Sequence, residues 1–204
     1  MNLAAVTHPA DGARGVCAYR SGVADPLIPY VAWIGPLLQR PLPDAFAPDS
    51  PAHAVLTELR EGWGIVDTAD LLGGLTDRYG ELAQATVSRF LEFHIRRDWA
   101  ETGLREAHEG TEVDDFIRLL WNPLEDVGFE YTSAGDATDR RFCVTRCPVR
   151  DAAVATGMQS WMYALACATD LPSATSFSPH IEFRRTRTLM QGDTSCDHRY
   201  LRTP

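Results

Sequence analysis

The eleven residues "MQGDTSCDHRY", Met190 to Tyr200, gather a turn signal, a thiol, carboxylates and an imidazole near the end of the chain. Side chains of a strand alternate between faces, so Cys196, His198 and Tyr200 share one side while Asp197 and Arg199 share the other. Neighbours on one sheet face stand about 5 to 7 Å apart, close enough for an imidazole to take a thiol proton directly or through one water. Such a Cys-x-His strand can supply a nucleophile together with its base, and Cys196 is expected to titrate low beside a cationic His198. Asp193, in the preceding turn, can orient the imidazole or place a water. The plain alternative is a small buried Cys196 and a half-exposed edge His198, with no chemistry between them.

The run before the turn, "HIEFRRTRTLM", reads as a strand facing "SCDHRYL", the two joined by the Gly-containing turn "QGDT". On one of its faces Arg185 and Arg187 interrupt the apolar row of Ile181, Phe183 and Leu189. A half-buried guanidinium needs an anion, either a substrate carboxylate held in the fork or an Asp or Glu on a neighbouring element. Cys147, Cys167, Cys196 and His198 would make a three-thiolate, one-imidazole zinc set. Structural zinc sites, however, are usually announced by a close Cys pair, and these ligands are scattered. No metal and no cofactor is expected.

Several elements must position these residues. Residues 1–51 are dense in Pro and Gly and read as an arm or cover, with one short helix in "LIPYVAWIGPLL". From Asp67 onward, Leu71, Leu75, Tyr79, Leu82, Val87, Phe90, Leu91, His94 and Ile95 recur at three- and four-residue intervals. That spacing predicts one long helix capped by Asp67 or Thr68. A second helix follows in "EVDDFIRLLWNPLEDV", broken at Asn122-Pro123. "GFEYTS" and "RRFCVTRC" flank the turn-rich "AGDATD" as an antiparallel hairpin. "PVRDAAVATGMQSWMYALACATD" returns to helix, with Pro148 in its first turn. The sum is a single α+β domain: a helical layer on a small antiparallel sheet of about four strands, with a helical insertion between two hairpins.

Composition narrows the partners. The 204 residues are 45% hydrophobic, enough to bury roughly 70% of the unfolded surface without disulfides. A formal net charge of −9 repels phosphate backbones and anionic lipid, so neither nucleic acid nor membrane is expected as a partner. A small-molecule substrate fits better, with further copies of the chain as the macromolecular option. The sequence contains no Lys, which excludes Schiff-base chemistry and a P-loop. "MNLAAVTHPADGARG" has no cationic start leading into an apolar run, and no segment approaches the roughly 18 apolar residues of a membrane span. A cytoplasmic location is expected, where Cys17, Cys143, Cys147, Cys167 and Cys196 stay reduced.

Taken in order, "RYGELA", Cys147-Pro148, "CATD" at Cys167 to Asp170, "SPHIEFRRTRTL" and "GDTSCDHRY" resemble the L-2-amino-thiazoline-4-carboxylic acid hydrolase family over about residues 65 to 201. The resemblance implies hydrolytic opening of a small cyclic amidine or thiazoline carboxylate at a C–N bond, the named reaction leading towards N-carbamoyl-cysteine. Cys147, Cys167, Asp170, Gly192, Asp193 and Cys196 fall on family-like positions. In that reading Cys196 attacks, His198 or Asp193 moves protons, and Arg185 or Arg187 holds the carboxylate, with Cys147 and Cys167 beside the substrate. Alternatively, Cys196 is structural and Asp170 or Asp193 activates water. Ser178-Pro179 stands where the family pattern suggests Asn-Pro, and the Pro-rich arm has no counterpart in it. A tailoring enzyme acting on another natural-product scaffold and a binding module without turnover remain the other options.

Overall fold

The computed structural model describes residues 25–204, so Cys17 and the start of the Pro-rich arm lie outside the described residues. Four antiparallel strands, β1 (Glu130–Gly135), β2 (Asp139–Arg146), β3 (Ile181–Arg184) and β4 (Cys196–Arg202), lie in the order β1-β2-β4-β3. The expected hairpin of β1 and β2 is present, closed through Asp136, whose carboxylate accepts the Thr138 and Asp139 N–H groups. Pairing of β2 with β4 then joins the two hairpins into one sheet. Alternation sorts the faces: Phe142, Val144, Cys196, His198 and Tyr200 are buried, while Arg141 and Cys143 are exposed.

The second hairpin departs from expectation. Strand β3 ends at Arg184, and the chain leaves the sheet before returning in β4, with a 3-10 turn at Leu189–Gln191 on the way. No tight "QGDT" turn joins "TRTLM" to "CDHRY". The reason is a competing acceptor: the Asp197 carboxylate takes the backbone N–H groups of Thr186 and Arg187 at 2.9 and 2.6 Å. Asp193 likewise takes the Thr188 N–H at 2.8 Å. Side-chain oxygens thus replace ladder carbonyls and end the strand.

Helices cover one face of this sheet. The predicted long helix is two, α4 (Thr68–Tyr79) and α5 (Glu81–Glu106), separated at Gly80, whose φ of +58° suits a residue without Cβ. Helix α6 (Glu112–Leu120) stops before Asn122-Pro123, as expected, and continues as a 3-10 turn. The predicted insertion is three helices, α7 (Pro148–Thr156), α8 (Gln159–Leu165) and α9 (Asp170–Phe177), of which α9 was not foreseen. Helices α5 and α9 pack so closely that a Cβ at Gly103 would lie 1.8 Å from the Phe177 carbonyl oxygen. Ahead of them come α1 (Ile28–Val31), α2 (Ile34–Leu38) and α3 (Pro51–Gly62), two short helices standing where one was expected. Leu27, Val31, Ile34, Leu38 and Phe46 are buried, each side chain stabilising by about 1.5–3 kcal/mol. The Asp25 carboxylate fastens this segment to α4 by accepting the N–H groups of Leu27 and Thr68 at 2.8 Å. Among the described residues no helix is long and apolar enough to cross a membrane.

One buried group makes the helical layer sensitive to acid. His94 on α5 is 1% exposed, lies against the rings of Phe90 and Phe93, and has no hydrogen-bond partner at either ring nitrogen. Burial, helped by the cations of Arg40 and Arg97, pushes its pKa down to about 4. The unfolded chain, with an ordinary His near 6.5, therefore takes up this proton first. Stability contributed by neutral His94 is complete above about pH 6.5 and is lost as pH falls through about 4, up to about 3 kcal/mol. Urea midpoints measured between pH 7 and pH 4 should fall for the native chain and fall less for His94→Leu.

Candidate active site

The buried face of the sheet and the ends of α6, α8 and α9 enclose a cavity of about 70 Å³. That is room for roughly five waters. Strand β4 contributes Cys196 and His198, both buried, in the alternation read from the sequence. Arg185 enters from the chain leaving β3, Cys147 precedes α7, and Cys167 and Asp170 bracket the short 3-10 turn that leads into α9. The remaining wall is apolar, with Leu120, Trp121, Leu124 and Phe129 prominent.

Polar groups converge at one corner. Arg185 ion-pairs with Asp170 through Nη1 and donates from Nη2 to the Cys167 carbonyl at 3.0 Å. His198 Nε2 lies 3.4 Å from the same Asp170 oxygen and 3.4 Å from Arg185 Nη1, while its Nδ1 has no hydrogen-bond partner. The Arg185 and His198 side chains are 8% and 9% exposed. Burial works to raise the Asp170 pKa, yet hydrogen bonding and charge from His198, with the Arg185 charge, hold it below the ordinary carboxylate range. Burial likewise opposes the charge on Arg185, but Asp170 outweighs it and the guanidinium titrates above its ordinary value. Its Cζ lies over the rings of Tyr163 and Phe183, 5.8 and 5.7 Å from their centroids.

The thiols behave otherwise than expected. Burial pushes the Cys196 pKa up, and an N–H hydrogen bond from Leu189, at 3.2 Å to Sγ, offsets only part of that. Burial pushes Cys147 up to about 11, and burial with the nearby Asp170 charge pushes Cys167 up further. Cys196 is therefore a thiol, because removal from water outweighs the Leu189 hydrogen bond and the Arg185 charge.

Of the residues singled out in the sequence, Cys147, Cys167, Asp170, Arg185, Cys196 and His198 line this one cavity. Asp193 and Arg187 do not. Asp193 is exposed and caps the backbone at Thr188, and Arg187 is 53% exposed and lies 3.8 Å from Asp197. The predicted common face of Arg185 and Arg187 fails because strand alternation ends at Arg184. Trp121 escaped the sequence reading. Its indole stacks on Phe142 at 3.9 Å, meets the edge of His198 at 5.0 Å, and donates from Nε1 to Tyr200 Oη at 3.1 Å. Its place just ahead of the Asn122-Pro123 break was the one available signal. Among the described residues, no three His, Cys, Asp or Glu side chains are placed to hold a metal ion.

A family model described as L-2-amino-thiazoline-4-carboxylic acid hydrolase matches residues 69–200, a span that contains every residue of the cavity. The chain belongs to this family. No curated protein matches the chain, and no solved structure does either. The family match begins inside α4, so the helices α1 to α3 that fill out the core lie ahead of the matched part of this L-2-amino-thiazoline-4-carboxylic acid hydrolase family member. Thiol chemistry offers a check on the cavity. Iodoacetamide at neutral pH should label exposed Cys143 ahead of Cys147, Cys167 and Cys196, with Cys147 reacting readily only as pH nears about 11. Peptide mapping by mass spectrometry reads the order, and rapid labelling of Cys196 at pH 7 would contradict it.

Proposed function

We propose that the cavity binds a small cyclic amidine or thiazoline carboxylate and opens its ring by hydrolysis of the C–N bond, with Cys196 as nucleophile. The observation that carries this reading is the Arg185–Asp170 pair, buried at one corner of a largely apolar cavity. A protonated 2-aminothiazoline-4-carboxylate is a zwitterion. Its carboxylate matches the fork of Arg185 and its amidinium matches the carboxylate of Asp170, so the ligand adds no net charge to the buried corner.

Chemistry follows from that placement. Protonation makes the amidine carbon electrophilic, and Cys196 Sγ adds to it while the thiol proton passes to His198, directly or through a water. Because the resting thiol is protonated, proton removal accompanies attack instead of preceding it. His198 returns the proton to the departing ring nitrogen, and the C–N bond breaks. Water then adds to the carbon held on Cys196 and expels the thiol, leaving an S-carbamoyl cysteine with a free amine. The N-carbamoyl isomer that the resemblance suggests requires the C–S bond to break instead and carries a free thiol, so a thiol reagent distinguishes the two.

A second reading rests on the raised thiol and on the 3.4 Å approach of His198 to Asp170. Here that dyad activates water directly and Cys196 only fills space. Mass spectrometry of candidate thiazolines incubated with enzyme tests both. Arg185→Ala and His198→Asn should each lower kcat/KM by about 100-fold or more, while Arg187→Ala and Asp193→Asn stay within about threefold. Cys196→Ala should be as damaging as His198→Asn; full activity there selects the water reading. Tight binding without turnover of any thiazoline would move the chain to a binding module.

A further inference from the structure

The solvent face of the sheet, opposite the one that carries the Cys196 and His198 side chains, holds a row of cations. Strand register sets Arg141 of β2 directly opposite Arg199 of β4, and Arg199 directly opposite Arg184 of β3. Strands lie about 4.8 Å apart, so three arginines cross the sheet in one row about 10 Å wide. Like charges directly opposite one another on adjacent strands destabilise a sheet. A chain with a formal net charge of −9 has carboxylates enough to alternate with them, yet it sets the three side by side.

The nearby carboxylates leave the row with a surplus cation. Asp139 is shared: Arg141 and Arg199 each donate to it through Nε and Nη2. Arg184 donates from Nε to Glu182, so two carboxylates face three guanidinium groups. Asp197, in the next row, is taken up by the N–H groups of Thr186 and Arg187 and by the Thr186 hydroxyl, with the Arg187 cation 3.8 Å away. Among the described residues, no acceptor is hydrogen-bonded to Nη1 of Arg141, Arg184 or Arg199. The three side chains are 58%, 57% and 38% exposed, and with Thr132, Cys143 and Thr186 they line a groove of about 380 Å³.

Three forks with spare donors and one unbalanced charge match an anion with at least three acceptor oxygens. A carboxylate has two. A phosphate monoester has three beside its ester oxygen and carries close to two negative charges near neutral pH. The acidic remainder of the chain repels a polyanion, which favours a small ligand. We propose that this outer groove is a second binding site, for a phosphate-bearing small molecule, with Arg199 as its central contact and Cys143 beside the bound ligand.

Calorimetric titration of phenyl phosphate into the full-length chain, at constant ionic strength near neutral pH, should give a Kd on the order of 100 µM. Arg199→Gln and, separately, Arg184→Gln on the edge strand should each weaken binding by about tenfold or more with unchanged circular dichroism. Arg187→Gln, outside the groove, should stay within about twofold. The double variant Arg185→Met, Asp170→Leu should bind phenyl phosphate as the native chain does, which separates this site from the inner corner. Exposed Cys143 is a built-in reporter: saturating phenyl phosphate should slow its alkylation by iodoacetamide about fivefold or more. Equal affinity for inorganic phosphate identifies the free anion as the ligand, and weaker binding of inorganic phosphate identifies an ester; either result supports the site. Native affinity in both Arg199→Gln and Arg184→Gln overturns the proposal. So does loss of binding in the Arg185→Met, Asp170→Leu variant, Cys143 alkylation indifferent to phenyl phosphate, or no binding of either phosphate at on the order of 10 mM.

Discussion

Arg185 and Asp170 approach the candidate site from different elements, and removing either leaves a buried charge that destabilises by about 3–5 kcal/mol. The pair holds the start of α9 against the chain leaving β3, and with Cys167 and His198 it defines the only charged corner among the cavity's lining residues. Apolar side chains of similar volume would hold the same elements at least as well, because desolvating two ions is expensive. A fold assembled for stability alone has no need of this pair. Its place in a small cavity, beside an imidazole with an unpartnered Nδ1 and a thiol, fits a binding corner for a ligand with charges of its own.

The rest of the architecture can be followed outward from that corner. Strand β4 delivers Cys196 and His198 by alternation, and β2 braces β4 from the other side. Trp121, held flat on Phe142 and hydrogen-bonded to Tyr200, sets the edge against which the His198 ring rests. Asp197, on the opposite face of β4, captures the backbone at Thr186 and Arg187 and so bends the chain out of the sheet. That bend turns Arg185 inward and leaves Arg187 in solvent. A single carboxylate on the outer face thus decides which arginine reaches the inner one.

Much of this was legible in the sequence because it rests on local periodicity. The β1–β2 hairpin, the faces of β4, the Asn122-Pro123 break and the Pro148 helix start follow from alternation, turn residues and backbone restrictions acting over a few positions. The shared buried face of Cys196 and His198 follows from the same alternation. What escaped depends on contacts across the fold. Alternation carried past Arg184 predicts that Arg185 and Arg187 share a face, and nothing in "RRTRTLM" announces that Asp197 will compete for its backbone. The charge beside Cys196 suggested a depressed thiol, yet a sequence does not show how far a site is removed from water, and burial prevails. Gly80 divided a helix that periodicity alone had run straight through.

The claim at the centre is that the Arg185–Asp170 pair exists to meet a zwitterionic ligand and not to hold the fold. It is tested most directly by calorimetric titration of 2-aminothiazoline-4-carboxylate into the double variant Arg185→Met, Asp170→Leu, with thermal unfolding recorded on the same sample. The account predicts a midpoint equal to or above that of the native chain, with affinity lower by about 100-fold or more. Retention of native affinity in a folded double variant would contradict it.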